Sequence, residues 1–116
     1  HQGEQDNLQN TGHAEYTARM TRLLALIREY GQDAPKYVSI ASYHPHNFNR
    51  SYISDEVRRG QADFINGNRG VLCGPDTDRL VSKESRYDGV HFSGPGLDSF
   101  ALLWLEAVRE SSELSR

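Results

Sequence analysis

Asp88-Gly89-Val90-His91 is the segment of this chain best equipped to do chemistry. An aspartate three residues ahead of a histidine, in a tight turn, can accept a hydrogen bond from the imidazole Nδ1. That bond fixes the tautomer and leaves Nε2 free as a base. Gly89 permits the sharp turn, and Phe92 to Gly96 carry the chain from it into a helix start. On spacing alone, Asp-x-x-His describes a capped histidine on a surface turn more often than a base.

A second group stands at the other end, His1-Gln2-Gly3-Glu4-Gln5-Asp6-Asn7. The side-chain amide of Gln2 is of a kind that can donate to a developing oxyanion. Glu4 can steady the same loop by accepting backbone or side-chain donors. A plain polar turn would have the same composition.

Other polar clusters read as structure. His44-Pro45-His46, with His1, His13 and His91, has the His-x-His spacing found in zinc and iron sites. Its loop has no obvious carboxylate partner and Cys73 is isolated, so no metal is expected, and the loop reads as the polar rim of an active site, where it could contact substrate. Asp76, Asp78, Glu84 and Asp88 lack calcium-loop spacing and read as a solvated loop. Tyr43 and Phe48 are the aromatic residues best placed to touch a sugar. Trp104, at helical spacing with Leu97, Leu105 and Val108, reads as core.

The elements that must position these groups follow from periodicity. The segment 1–11 reads as a loop. Tyr16, Met20, Leu23, Leu24 and Ile27 recur at helical spacing and predict a helix from about His13 to Tyr30, with Thr11 as N-cap and Gly31 at C′. Tyr37 to Tyr43 is β-branched and aromatic, and reads as a strand. Ser54 begins a second helix that ends near Asn66-Gly67, and Gly70 to Cys73 is a short strand. Residues 76–87 read as irregular. A last helix has Ser93 as cap, Pro95 in its first turn, and an apolar face of Leu97, Phe100, Ala101, Trp104, Leu105 and Val108. Helices and strands in alternation imply a parallel sheet covered by helices. Two strands are few for such a sheet, which leads us to expect further strands upstream. The chain also opens at His1 without Met or a signal peptide, inside a motif, as a processed or truncated chain would.

Composition narrows the partners. With 116 residues the chain is at most one domain. Its 13 basic and 16 acidic residues give a net charge of −3, so no basic field is available for nucleic acid. No apolar run approaches the roughly 20 residues of a membrane span. One cysteine excludes an intrachain disulfide, and Cys73 reads as a buried packing residue.

Taken together, His-Gln-Gly-Glu-x-Asp at one end and Asp-Gly-Val-His-Phe-Ser-x-x-Gly-Leu at the other resemble the SGNH/GDSL hydrolase superfamily, in its carbohydrate acetylesterase branch. That branch includes acetylxylan esterases and sialate O-acetylesterases. Arg58-Arg59-Gly60-Gln61-Ala62 resembles its Arg-x-x-Gln helix, and Gly74-Pro75-Asp76-Thr77-Asp78 resembles the segment ahead of its Asp-x-x-His turn. The resemblance covers nearly the whole chain.

The resemblance implies the C-terminal portion of a three-layer α/β/α, flavodoxin-like sandwich. All of residues 1–116 would belong to one domain, whose upstream half carries the serine nucleophile. It implies removal of O-acetyl groups from carbohydrates by a Ser-His-Asp triad, with His91 as base, Asp88 as its orienting acid, Gln2 in the oxyanion block and Glu4 in support. No metal or organic cofactor is implied, and the partners would be an acetylated carbohydrate and the upstream half, with neither nucleic acid nor membrane. A secreted or periplasmic setting is mildly favoured. Ser42, Ser54 and Ser93 lie in no nucleophile turn. Two other functions stay open: a carbohydrate-binding or structural relic without catalysis, and a lipase- or thioesterase-type member of the superfamily.

Overall fold

The computed structural model describes residues 1–47 and 52–114. A short helix α1 (Glu4–Leu8) leads into α2 (His13–Glu29), then strand β1 (Lys36–Ile40), α3 (Asp55–Gly67), β2 (Val71–Asp76), a 3-10 turn at Thr77–Arg79, and α4 (Gly94–Leu114). The strands pair in parallel, with Lys36 opposite Val71, Tyr37 opposite Leu72 and Val38 opposite Cys73. The chain is therefore α/β, with a two-stranded parallel sheet among helices. Val38 and Val71 belong to the cluster built by Leu24 of α2 and Phe64 of α3. Tyr37 packs edge-on against Trp104 of α4, and Gly74 lies close beneath the same indole. Trp104 is thus a packing residue, but a half-buried one, on a side of α4 that leaves Leu97, Leu105 and Val108 exposed.

Several boundaries follow the sequence reading. Ser54 caps α3 through a bond from the Val57 N–H to its Oγ, Gly31 closes α2 with a left-handed φ of 72°, and Ser93 Oγ accepts the Gly96 N–H at the start of α4. Others do not. The first eleven residues are not all loop, since α1 forms within them. Thr11 is not the cap of α2. Gly12 takes that position, and the first amide, His13 N–H, donates 2.9 Å to the Glu56 carboxylate of α3. The cap is therefore tertiary, and local spacing could not show it.

β1 stops at Ile40 rather than Tyr43, because the next backbone groups are claimed by side chains. Gln61 Oε1 accepts the Ala41 N–H and Nε2 donates to the Ala41 carbonyl, at 3.0 and 2.8 Å. Asp78 takes the amides of Ser42 and Tyr43. β2 correspondingly runs on past Cys73 to Asp76. Cys73 is exposed, not buried, since its side chain lies off the Leu24–Phe64–Val71 cluster.

Little of the exposed apolar surface lies on the strands. Val71 is buried in the core and Val38, Ile40 and Leu72 are half-buried, so the strands are not where most of it lies. Six of the exposed large apolar side chains sit on two helices, Leu23 and Leu26 on α2 and Leu97, Leu102, Leu105 and Val108 on α4. In α4 the half-buried side runs through Phe100, Leu103, Trp104 and Ala107, which is rotated from the face expected. A groove of about 660 Å³ lies between α2 and β1, lined by Leu23, Ile27, Val38 and Phe64 among others. It also borders Ser39, whose buried Oγ has no hydrogen-bond partner among the described residues.

Gly3 joins α1 to the sheet. Its φ is 152°, and a Cβ built there would stand 1.9 Å from the Ala41 carbonyl oxygen. We expect Gly3→Ala to destabilise the chain by about 1–3 kcal/mol, the usual cost of forced overpacking. Thermal denaturation would read it as a lower Tm, and an unchanged Tm would show that the loop relaxes freely.

Candidate functional site

Three loops meet at the C-terminal ends of the two strands, and buried polar side chains bind them together. The centre is Asp78, whose carboxylate accepts from Ser42 N–H and Oγ–H, Tyr43 N–H and Arg58, all at 2.7–2.8 Å. Arg58 also forms a two-pronged pair with Asp76 at 2.9–3.0 Å. That pair is the main reason the Arg58 guanidinium is held above its ordinary range and the Asp76 carboxyl below its own. Reading these acids as a solvated loop is therefore wrong for Asp78, which is buried, and for Asp76, which is paired. Glu84 and Asp88 are exposed as expected.

The His1–Asn7 block is fixed by the same kind of bond. Tyr16 Oη and Gln61 Nε2 both donate to the Gln2 carbonyl, at 3.2 and 3.0 Å. Asn7 Nδ2 donates to the carbonyls of Ser42 and Tyr52. The Gln2 side chain is left exposed, with its amide unengaged among the described residues. Glu4 stands 3.5 Å from His1 Nε2, and that imidazole is 2.8 Å from Thr77 Oγ1.

The turn carrying Asp88 and His91 hangs on Arg86. This residue is 2% exposed. Its guanidinium donates to the carbonyls of Leu80 and Val90, and lies over the rings of Phe92 and Tyr43 at 4.4 and 5.1 Å. Loss of hydration on burial lowers its pKa from the ordinary value. Arg86 thus ties the turn to the 3-10 segment and to the loop after β1 at once. Nothing in its spacing marks it, since a single arginine beside a tyrosine has no periodic signature. Tyr43 is engaged by Arg86 and by Tyr52, and Phe48 lies outside the described residues.

Asp88 and His91 are joined as their spacing requires, with Oδ2 2.7 Å from Nδ1. The other Asp88 oxygen accepts the backbone N–H groups of Val90 and His91 at 2.8 and 2.7 Å. His91 Nε2 has no partner among the described residues, and the ring stacks on Tyr87 at 6.0 Å. His91 and Asp88 are both exposed at the surface. Gln2, Glu4, His44, Arg86, His91 and Phe92 line one shallow cleft of about 400 Å³. The two ends of the sequence therefore meet, and the cleft gathers an oriented imidazole, a free amide and two further imidazoles, those of His1 and His44. Ser42 and Ser54 are buried in structural bonds, and Ser93 is a cap. No group of three or more His, Cys, Asp or Glu arranged to hold a metal occurs among the described residues.

The Asp88 carboxyl is held well below the usual carboxylate range, first by the His91 imidazole and then by the two backbone N–H groups. A depressed carboxylate supports the folded turn above its ordinary pKa of about 3.9 and loses that support only as pH falls through the lower folded value. We therefore expect the Asp88 carboxyl carbon, followed by NMR, to remain ionised at about pH 3. His91→Ala should move its titration upward, though not fully to the ordinary value, because the backbone donors remain. Titration near 3.9 in the unaltered chain would mean that the turn is open in solution.

Comparison with family models, with curated proteins and with solved structures gives no match to this chain.

Proposed function

We propose that the chain supplies the base and the orienting acid of a serine-type carboxylic ester hydrolase that removes O-acetyl groups from carbohydrates. In this reading residues 1–116 are the C-terminal portion of a three-layer α/β/α, SGNH-like domain. The observation that carries it is the 2.7 Å Asp88–His91 bond, with Nε2 unengaged, on a cleft shared with Gln2. Additional layers are supported by the apolar groove beside β1 and by the exposed leucines of α2 and α4.

The chemistry divides among named groups. A serine of the upstream half attacks the acetyl carbonyl, and His91 Nε2 takes its proton. Asp88 holds the imidazole in the required tautomer and stabilises the imidazolium. The Gln2 amide donates to the oxyanion. Collapse expels the sugar oxygen, which takes the proton from His91, and water then releases acetate from the acyl-serine. Every step is acid–base or nucleophilic, so no cofactor is called upon.

The whole domain, joined to an upstream half bearing a Gly-Asp-Ser turn, should release acetate from xylose tetraacetate or 4-nitrophenyl acetate without added metal. His91→Ala should lower kcat by several orders of magnitude, and Asp88→Asn should impair it through the wrong tautomer. Gln2→Ala should cost on the order of 10²–10³ in kcat. Full activity after His91→Ala would remove the mechanism.

A further inference from the structure

His44 belongs to the loop between β1 and α3, yet it is only 6% exposed, whereas its neighbour His46 is exposed. Its backbone is held on both sides. The His44 N–H donates to the Tyr52 carbonyl at 2.8 Å, and the His44 carbonyl accepts the Asn47 N–H at 3.3 Å. The ring is held too, because Nδ1 lies 3.3 Å from the His46 backbone nitrogen. A backbone amide only donates, so Nδ1 is the bare nitrogen and the proton of the neutral ring sits on Nε2. Burial, then His46, and to a smaller extent Arg86, push the His44 pKa below the ordinary histidine value, with Glu4 opposing.

The Nε2–H has no partner among the described residues. The space that the ring borders is the cleft of His91 and Gln2. A buried ring that borders a ligand-sized hollow, with one nitrogen spent on fixing its tautomer and the other without a partner among the described residues, resembles a binding group more than a packing residue.

We propose that His44 Nε2–H is a substrate-binding donor of this cleft, accepting no proton and carrying no charge, and paired with an oxygen of the bound ligand. The proposal rests on the esterase reading and adds a specificity element to it. An acetylated sugar offers ester carbonyl, ring and hydroxyl oxygens, any of which a neutral imidazole can meet. A ligand with a methylene at that point would leave the N–H unpaired and bind less well.

The test uses the whole domain of the activity experiment, ¹⁵N-labelled and with its nucleophilic serine replaced by alanine, with xylose tetraacetate as probe and unacetylated xylose as control. Imidazole ¹⁵N–¹H correlations should show His44 as the Nε2–H tautomer, and the His44 and His91 rings should shift along one common saturation curve. His44→Phe, which keeps the ring and loses the donor, should weaken binding about three- to tenfold, the worth of one neutral hydrogen bond. His44→Gln, whose amide nitrogen reaches the Nε2 position, should recover most of that loss, as simple repacking of the loop would not.

A His44 ring protonated on Nδ1 overturns the inference, even if His44→Phe fails to fold. So does a His44→Phe chain that binds as tightly as the parent while His91 still shifts, and that outcome leaves the esterase reading intact. Saturation of neither ring, or equal response to the xylose control, counts against the acetyl-ester site itself and removes the inference along with it.

Discussion

One buried carboxylate determines where the loops of this molecule can go. Asp78 follows β2, but three of its bonds go to the segment after β1 and a fourth goes to α3 through Arg58. Ser42 extends the circuit, because its Oγ also accepts the Ser54 N–H at the cap of α3. The strand ends and the helix start are thereby closed into a ring of charge-assisted bonds. Removing one member of such a set leaves a buried charge uncompensated, which costs about 3–5 kcal/mol in comparable cases. The apolar cluster around Leu24, Phe64 and Val71 is small, and it lies away from the loops. Hydrophobic packing therefore holds the helices on the sheet, while the polar ring gives the loops their positions.

The cleft depends on that division. Asp88 and His91 are exposed, and an exposed ion pair or hydrogen bond is worth little against water. Their geometry is stabilised from beneath, by Arg86 clamping Leu80 and Val90 and stacking between Phe92 and Tyr43. Tyr43 is in turn fixed through its amide by Asp78. The buried carboxylate and the exposed turn are thus two bonds and one ring contact apart. An unpaired guanidinium would be expensive to bury alone. Here the carbonyl acceptors and two aromatic faces offset the lost hydration.

What the sequence revealed was what depends on neighbours along the chain. Asp88 and His91 are three residues apart, so their bond could be read from spacing, as could the Ser54 cap, the Gly31 terminus and the packing role of Trp104. Contacts between distant residues were hidden. Glu56 capping α2, Gln61 ending β1 and Asp78 gathering two loops each join residues that no periodicity links. Asp76 and Asp78 were misread because acidic residues near Gly and Pro look solvated until Arg58 is placed beside them. His-Pro-His reads as a polar rim and His44 does line the cleft, but only the packed loop shows that this histidine is covered while His46 is exposed.

Gln61 has a consequence for how the molecule behaves among copies of itself. A strand edge with free N–H and C=O groups is a template on which another extended chain can assemble, and proteins commonly blunt such edges. By occupying both the N–H and the carbonyl of Ala41, Gln61 caps the template with a side chain that mimics a neighbouring peptide unit. The stretch left is Lys36–Ile40, whose one charge, Lys36, stands at its first position. Five residues is short for cross-β stacking, and a cationic first residue repels its own image in an in-register stack. The side chain that ends the strand therefore also limits aggregation along it.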